Sequence, residues 1–219
     1  MHETPIAFTL YSATDAEEME NLLGEMFARH EPPTLVRGIT PGEFAAFVRL
    51  LCPKVESERL TIVARSAETG EMLGVLLAED ASAAQLEEMD RLGEKFAPIF
   101  DILAELDAEY RHGREVRPGE CVHLFLLGVA ARASGKGIAR QLAIEALANA
   151  GMRGYRVAIT EATGRASQHV FRKLAFVERA RRSYADYRYR GEAVFASIAE
   201  QGGPILMERQ VSIVAPGSS

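Results

Sequence analysis

The sequence predicts an α/β (α+β) fold, and three observations carry that expectation. The second half alternates dense apolar strand runs with helical periodicities, the first half holds two β-rich runs joined by a hairpin-length loop, and helical stripes surround both. At 219 residues the chain should hide roughly 70% of the surface its unfolded form exposes, so it needs no disulfide or structural metal to fold. One domain over residues 1–213 with a short flexible tail at 214–219 is expected.

Residues 5–10 read as a strand, after which Thr14-Asp15 can cap a helix whose apolar positions are Met19, Leu22, Leu23, Met26 and Phe27. His30-Glu31-Pro32-Pro33 stops that helix, because two prolines remove donors and push the preceding residue toward extended geometry, which places Glu31 on a loop. A second helix starts after Thr40-Pro41 and runs through Phe44, Phe47, Val48 and Leu51, with Pro53 expected to end it. Residues 59–65 and 72–78 form a hairpin around Ala67-Glu68-Thr69-Gly70.

Residues 81–117 are charged and helix-favouring, with Leu86, Met89, Phe96, Phe100, Leu103 and Leu106 as an apolar stripe broken by Pro98; two short helices are expected. Strand 121–130, helix 137–150, strand 155–160 and helix 166–174 follow. Residues 176–184 and 205–211 read as the last strands.

Composition excludes several function classes. The hydrophobic fraction of 47% and charged fraction of 26% suit a soluble globular protein, no run is long and apolar enough to span a bilayer, and the N-terminus has no secretory pattern, so a cytoplasmic protein with no membrane partner is expected. The net charge of −6 and the absence of Trp argue against nucleic-acid binding. Cys52 and Cys121 permit at most one disulfide and are expected to be reduced and buried. With His30, His112 and His169 they show no metal-ligand spacing, so no metal is expected.

The segment with most chemical content is Leu126-Leu127-Gly128-Val129-Ala130-Ala131-Arg132-Ala133-Ser134-Gly135-Lys136-Gly137-Ile138-Ala139, which reads strand, tight loop, helix start. Two glycines let the backbone approach a ligand, the first-turn amides lack helical partners, and the helix dipole adds partial positive charge beside Arg132 and Lys136; this suits a phosphate. It is not a nucleotide-triphosphate loop, since Ala130 and Gly137 stand where Gly and Ser or Thr are required. Nor is it a dinucleotide fingerprint, since Arg140 stands at the third glycine.

Arg132-Ala133-Ser134-Gly135-Lys136-Gly137 resembles the acyl-coenzyme A loop, Arg/Gln-x-x-Gly-x-Gly/Ala, of the GCN5-related N-acetyltransferases. Ser167 through Phe176 resembles a later segment of that family, with Ser167 in place of an Asn, Phe171 in place of the usual tyrosine acid and Ala175 in place of a Gly. The likeness covers roughly residues 6–211. With His30-Glu31-Pro32, Ser183 to Tyr187 and Gly191 to Phe195, the chain is most similar to the arylalkylamine or dopamine N-acetyltransferase branch.

That resemblance implies a central, mixed, mostly antiparallel twisted sheet of about seven strands flanked by helices, with a helical insertion after the third strand. It implies acetyl-CoA as cosubstrate, held by Leu127, Val129, Ala131, Arg132, Ser134, Gly135, Lys136, Gly137, Ile138, Ala139, Ser167 and Lys173. It further implies Glu31, His123 and Ser167 as catalytic groups, and Glu31, Thr163 and Tyr184 as contacts to the acceptor.

The implied chemistry needs a base, because an alkylamine with a pKa of ~10 is almost all ammonium at neutral pH. Glu31 or His123 can serve, a strand amide such as Val129's can hold the developing oxyanion, and Ser167 or Tyr184 can replace the missing tyrosine near the thiolate. Each residue also has a plain structural role open to it: Glu31 as a solvated carboxylate, His123 as a core histidine, Ser167 and Thr163 as helix caps. Cys121 lacks an activating neighbour, so direct transfer in a ternary complex is expected over an acetyl-enzyme. The expected acceptor is a small primary amine, arylalkylamine- or polyamine-like, and the chain is expected to be a monomer or homodimer. Acetylation of a protein lysine or N-terminus, or acyl-CoA sensing without catalysis, are the alternatives.

Overall fold

The computed structural model describes residues 5–82 and 92–213, within which seven strands form one sheet in the order β1-β2-β3-β4-β5-β7-β6. The expected stripe positions Leu86 and Met89, and the tail at 214–219, lie outside the described residues. β1 (Ile6–Leu10), β2 (Ile62–Ser66), β3 (Met72–Asp80) and β4 (Cys121–Val129) pair antiparallel in succession. β4 and β5 (Val157–Ala162) are parallel, and β7 (Ile205–Gln210) lies antiparallel between β5 and β6 (Val177–Arg181). The sheet is thus mixed and mostly antiparallel; its one parallel pair is joined by the helical crossover such a pair needs.

Helices cover both faces. α1 (Ala16–His30), α3 (Pro41–Glu58) and α4 (Ala97–Arg111) share one core with Val75, Leu77 and Leu126 of the sheet, while α5 (Ile138–Met152) and α6 (Arg165–Lys173) share the other with Leu76, Val122 and Leu124. α4 is the helical insertion after the third strand. α1 and α3 approach backbone to backbone at Gly24, where a Cβ would stand 2.6 Å from the Pro41 carbonyl oxygen.

Three local expectations need correction. The first helix opens not at Thr14 but through a short 3₁₀ turn, Ala13–Asp15, in which Ser12 and Asp15 cap each other. Pro53 does not end α3: its ring removes one helical bond, yet burial of Val55 beside Leu51 and Val48 carries the helix on to Glu58, and Arg59 closes it in a left-handed conformation (φ 53°). Glu31 does not sit on a free loop but is the N-cap of α2 (Pro32–Val36), a one-turn helix that Pro32 opens. Of the two thiols, both free, Cys121 is buried and Cys52 only half-buried.

Candidate active site

β4 and β5 are paired only at Cys121–Val157, Val122–Ala158 and His123–Ile159. A hydroxyl bond from Thr160 Oγ1 to the Leu124 carbonyl, 2.9 Å, is the last link between them. Beyond it the strands separate, and one edge of β4 from Phe125 onward has no strand beside it. Ala130 donates its N–H to the Leu73 carbonyl at 2.8 Å on the β3 side. Backbone donors alternate in direction along a strand, so the Val129 and Leu127 N–H groups face the open cleft.

At the mouth of this cleft the chain makes a short turn, Ala131–Ala133, then passes through Ser134, Gly135 (φ 78°), Lys136 and Gly137 (φ 75°) into α5. Both glycines are in the left-handed region that L side chains rarely adopt, and a Cβ at either would meet nothing within 4 Å. Glycine is therefore required by backbone conformation rather than by space. No acceptor among the described residues meets the N–H groups of Gly135 through Arg140. Lys136 is exposed beside them, buried Ile138 anchors the helix, and half-buried Ala139 lines the cavity with Ser134. This open row of amides fits a diphosphate. Arg132 is exposed, paired with Glu71 at 2.5 Å and bonded to the Met72 carbonyl at 3.2 Å.

The cleft leads into a cavity of about 300 Å³ between the α1–α2 junction, α3, α4, β4, β5 and α6. Its wall is aromatic: Phe27 stacks on Phe44 with centroids 4.5 Å apart, Phe47 packs edge-on against Phe100 and Phe125 at 5.5 and 6.0 Å, and Phe96 stacks on Phe100. Polar side chains in this lining are His30, Glu31, Thr34, Ser134, Thr160, Glu161, Thr163 and Ser167, of which Glu31 and Glu161 are the carboxylates.

Glu31 Oε2 accepts the Thr34 N–H at 2.6 Å, and the Thr34 and Thr163 hydroxyls lie near enough to favour the charged carboxylate. Burial raises its pKa above the ordinary carboxylate range, and those donors only partly offset the rise. Gly164 brings the two loops together, since a Cβ there would stand 3.3 Å from Pro32 Cδ. Ser167 donates its hydroxyl to the Gly164 carbonyl at 2.9 Å in the first turn of α6. Phe171, one turn later on the same face, is buried and packs on Phe176 at 5.1 Å.

Two expected contacts fall elsewhere. Tyr184 is completely buried, packs edge-on against Phe195, and donates its hydroxyl to the Thr163 carbonyl at 2.8 Å. It lies behind the cavity wall, holding the loop that presents Thr163, and is not an acceptor contact; burial and then the nearby Glu31 charge keep its hydroxyl protonated. Tyr187 is likewise committed, to Asp101 at 2.6 Å. Lys173 is exposed on the last turn of α6 and does not line the cavity.

His123 also lies behind the wall. Its Nε2 is 2.5 Å from Glu161 Oε2, its Nδ1 is 3.1 Å from Glu79 Oε1, and Glu79 is paired in turn with Lys54. Burial opposes the charged ring, but the Glu161 and Glu79 carboxylates outweigh it and raise its pKa to about 10. A ring with both nitrogens engaged and a proton on each cannot accept another at neutral pH, so the geometry takes His123 out of contention as the base. Burial also opposes ionisation of Glu79, yet His123 and Lys54 hold its pKa below the ordinary value. Glu161 and Glu79 carry no motif that marks them in the sequence; each is a lone carboxylate at the polar end of an apolar strand, β5 and β3 respectively.

Chains of known structure share this fold over most of their length. The C-terminal condensation domain of Ebony, solved with beta-alanyl-dopamine, superposes with a TM-score of 0.87 at 13% identity, covering 95% of this chain and 100% of that one. Arylalkylamine N-acetyltransferase 2 from Aedes aegypti gives 0.80 at 24% identity, covering 94% and 99%. This is the GCN5-related N-acetyltransferase fold. A polyamine N-acetyltransferase from Drosophila melanogaster has the same fold, with a TM-score of 0.75 at 18% identity over 94% of this chain and all of its own. No protein-family profile and no curated protein sequence matches the chain. Within the acetyltransferase fold, the separated β4 and β5, the glycine loop and the aromatic cavity form one continuous channel. No helix among the described residues is long and apolar enough to cross a membrane, and no group of three or more His, Cys, Asp or Glu side chains among them is arranged to hold a metal ion.

Proposed function

We propose that the protein is an acetyl-CoA-dependent N-acetyltransferase acting on the primary amine of a small molecule by direct transfer. One observation carries this: the open amides of Gly135 to Arg140 stand at one end of a channel whose other end is an aromatic cavity containing Glu31. Bound acetyl-CoA would supply an activated thioester. Gly135, Lys136, Gly137, Ile138 and Ala139 would hold its diphosphate, with Arg132 beside them, and the free edge of β4 would guide its arm into the cleft.

Glu31 takes the proton from the acceptor's ammonium, because it reaches the cavity and its pKa is raised toward the working pH. Thr163 and Thr34 orient it. The Val129 and Leu127 N–H groups supply fixed donors where negative charge develops on the thioester oxygen, and their strand position requires no reorganisation. Phe171 cannot donate to the departing thiolate, whereas Ser167, one turn earlier, can turn its hydroxyl to it. A thiolate of pKa ~8.5 leaves acceptably without full protonation. The second amine proton released on amide formation neutralises that thiolate, and the proton held by Glu31 returns to solvent. The roof formed by α4 and the phenylalanine wall favours a compact acceptor over an extended peptide.

The test is release of coenzyme thiol in the presence of a panel of small primary amines, with the acetylated product identified by mass. At least one amine should be turned over. Binding of coenzyme A without turnover of any amine would leave a non-catalytic acyl-CoA-binding protein instead.

A further inference from the structure

Two carboxylates reach the cavity, and they differ in what balances them. Glu31 is bonded by neutral donors only, and no cation pairs with it among the described residues. Its charge is open to an incoming ammonium. Glu161 terminates a chain of alternating charge, Lys54–Glu79–His123–Glu161, that runs from α3 across β3 and β4 to β5. Both nitrogens of the His123 ring face carboxylate oxygens, and each such contact needs a proton on nitrogen, so the ring is an imidazolium and the four groups sum to zero. Glu161 uses Oε2 for this; Oε1 has no partner among the described residues, and Glu161, unlike His123, lines the cavity.

We infer that Glu161, balanced from behind by His123, sets the charge selectivity of the acceptor cavity: it receives a neutral hydrogen-bond donor at the far end of a monoamine and disfavours a second ammonium there. This deepens the proposed function and rests on it for the identity of the cavity. A second ammonium at Glu161 would meet repulsion from the imidazolium one carboxylate-width further away, which removes a large part of the attraction while the full desolvation cost remains. A hydroxyl carries no such cost. Glu161, Thr163 and Glu31 all line the same cavity, so the two carboxylates address one bound acceptor. A 2-arylethylamine with its ammonium at Glu31 would lay its ring along the phenylalanine wall of that cavity.

The experiment compares three acceptors alike except at that far end: 2-phenylethylamine, 4-(2-aminoethyl)phenol and 4-(2-aminoethyl)benzylamine. In the wild-type protein kcat/KM should be highest for the phenol, about tenfold above the phenyl compound, and lowest for the diamine. Glu161→Gln should shrink the phenol preference. His123→Gln removes the balancing charge and leaves Glu161 exposed as a bare carboxylate, so the ratio of diamine to phenol should rise about tenfold or more; a purely structural role for His123 would lower all three together. Calorimetric binding of the same amines reads the ranking without turnover. A protein that ranks them as stated but transfers nothing would sink the transferase and leave the selectivity standing. Equal use of diamine and phenol by the wild type, or an unmoved ratio in a folded His123→Gln, overturns the inference; should that variant not fold, the wild-type ranking and Glu161→Gln decide.

Discussion

Replacing Glu31 by glutamine separates the two tasks this side chain performs. As the N-cap of α2 it accepts the Thr34 N–H at 2.6 Å; a glutamine carbonyl in the same place keeps that bond, so the variant loses less than the roughly 1 kcal/mol that removing a cap costs. It cannot take a proton. At pH 7 only about one alkylamine in a thousand is unprotonated, and a positioned base contributes about 100- to 10,000-fold, so kcat/KM at neutral pH should fall by that range. The pH profile should change shape as well. The wild-type rate should fall as acid protonates Glu31, at a pH above the ordinary carboxylate range because burial raises it, whereas the Glu31→Gln variant should climb about tenfold per pH unit toward ~10 as free amine accumulates. Stability supplies an independent sign. A carboxyl whose folded pKa is raised contributes stability that is present at low pH and lost as pH rises through the folded value. The variant has no such loss, so its advantage over wild type in denaturant unfolding should grow from acid to neutral pH. Coenzyme thiol release with an arylethylamine, measured across this range, is the assay. A Glu31→Gln variant with the wild-type rate at pH 7 and an unchanged profile would remove Glu31 from proton transfer.

Three further expectations follow from the geometry. Gly137→Ala forces a side chain into a left-handed conformation (φ 75°), costing about 1 kcal/mol; calorimetry should show coenzyme A binding weakened by about tenfold with amine binding unchanged. His123, with a pKa of about 10 against ~6.5 unfolded, contributes stability that is complete below the lower value and is lost as pH rises to the upper one. Its imidazole resonances should not titrate between about pH 6 and 8, and the denaturation midpoint of His123→Gln should decline less than wild type over that window. Tyr184→Phe removes the 2.8 Å bond to the Thr163 carbonyl and should lower stability by about 1 kcal/mol while leaving the KM for the amine unchanged.

What could be read in the sequence was local. The glycine loop announced itself because two left-handed positions, a helix start and two basic residues fall within six consecutive residues, and Glu31 was marked by the proline that follows it. Lys54, Glu79, His123 and Glu161 come from four separate elements, each on an amphipathic or apolar segment where a lone charge reads as solvated or incidental. Only the pairing of Glu79 with His123 across β3 and β4, and the neighbouring β5, turns them into one array. Tyr184 failed for a related reason: spacing gave a tyrosine near the site, but which way its hydroxyl points depends on a turn whose shape is fixed by Gly202 and Gly203 contacts far along the chain. Pro53 shows that tertiary burial overrides a local breaker when the next turn has a core residue to place.

One unannounced feature connects fold and cavity. The β3–β4 register shifts between Leu77 and Ala78, so that Leu77 faces Leu126 while Ala78 faces Leu124, and Phe125 is left as the extra residue of a bulge. Before it, Val122 and Leu124 pack toward α5; after it, Leu127 and Val129 do so, and the parity of the strand has reversed. Phe125 and Leu126 both join the α1–α3 core instead. A bulge bends its strand and increases the local twist, and this one falls immediately after the last β4–β5 pair, His123–Ile159. The same inserted residue therefore accounts for three things: the strands part where an acyl thioester needs room, Phe125 enters the cavity wall within 4.9 Å of the His123 ring, and His123 stays behind that wall where Glu79 and Glu161 can hold it. A β4 that kept its parity through residue 125 would turn Leu127 and Val129 away from the α5 side they now pack against, so the bulge sets which side chains flank the cleft.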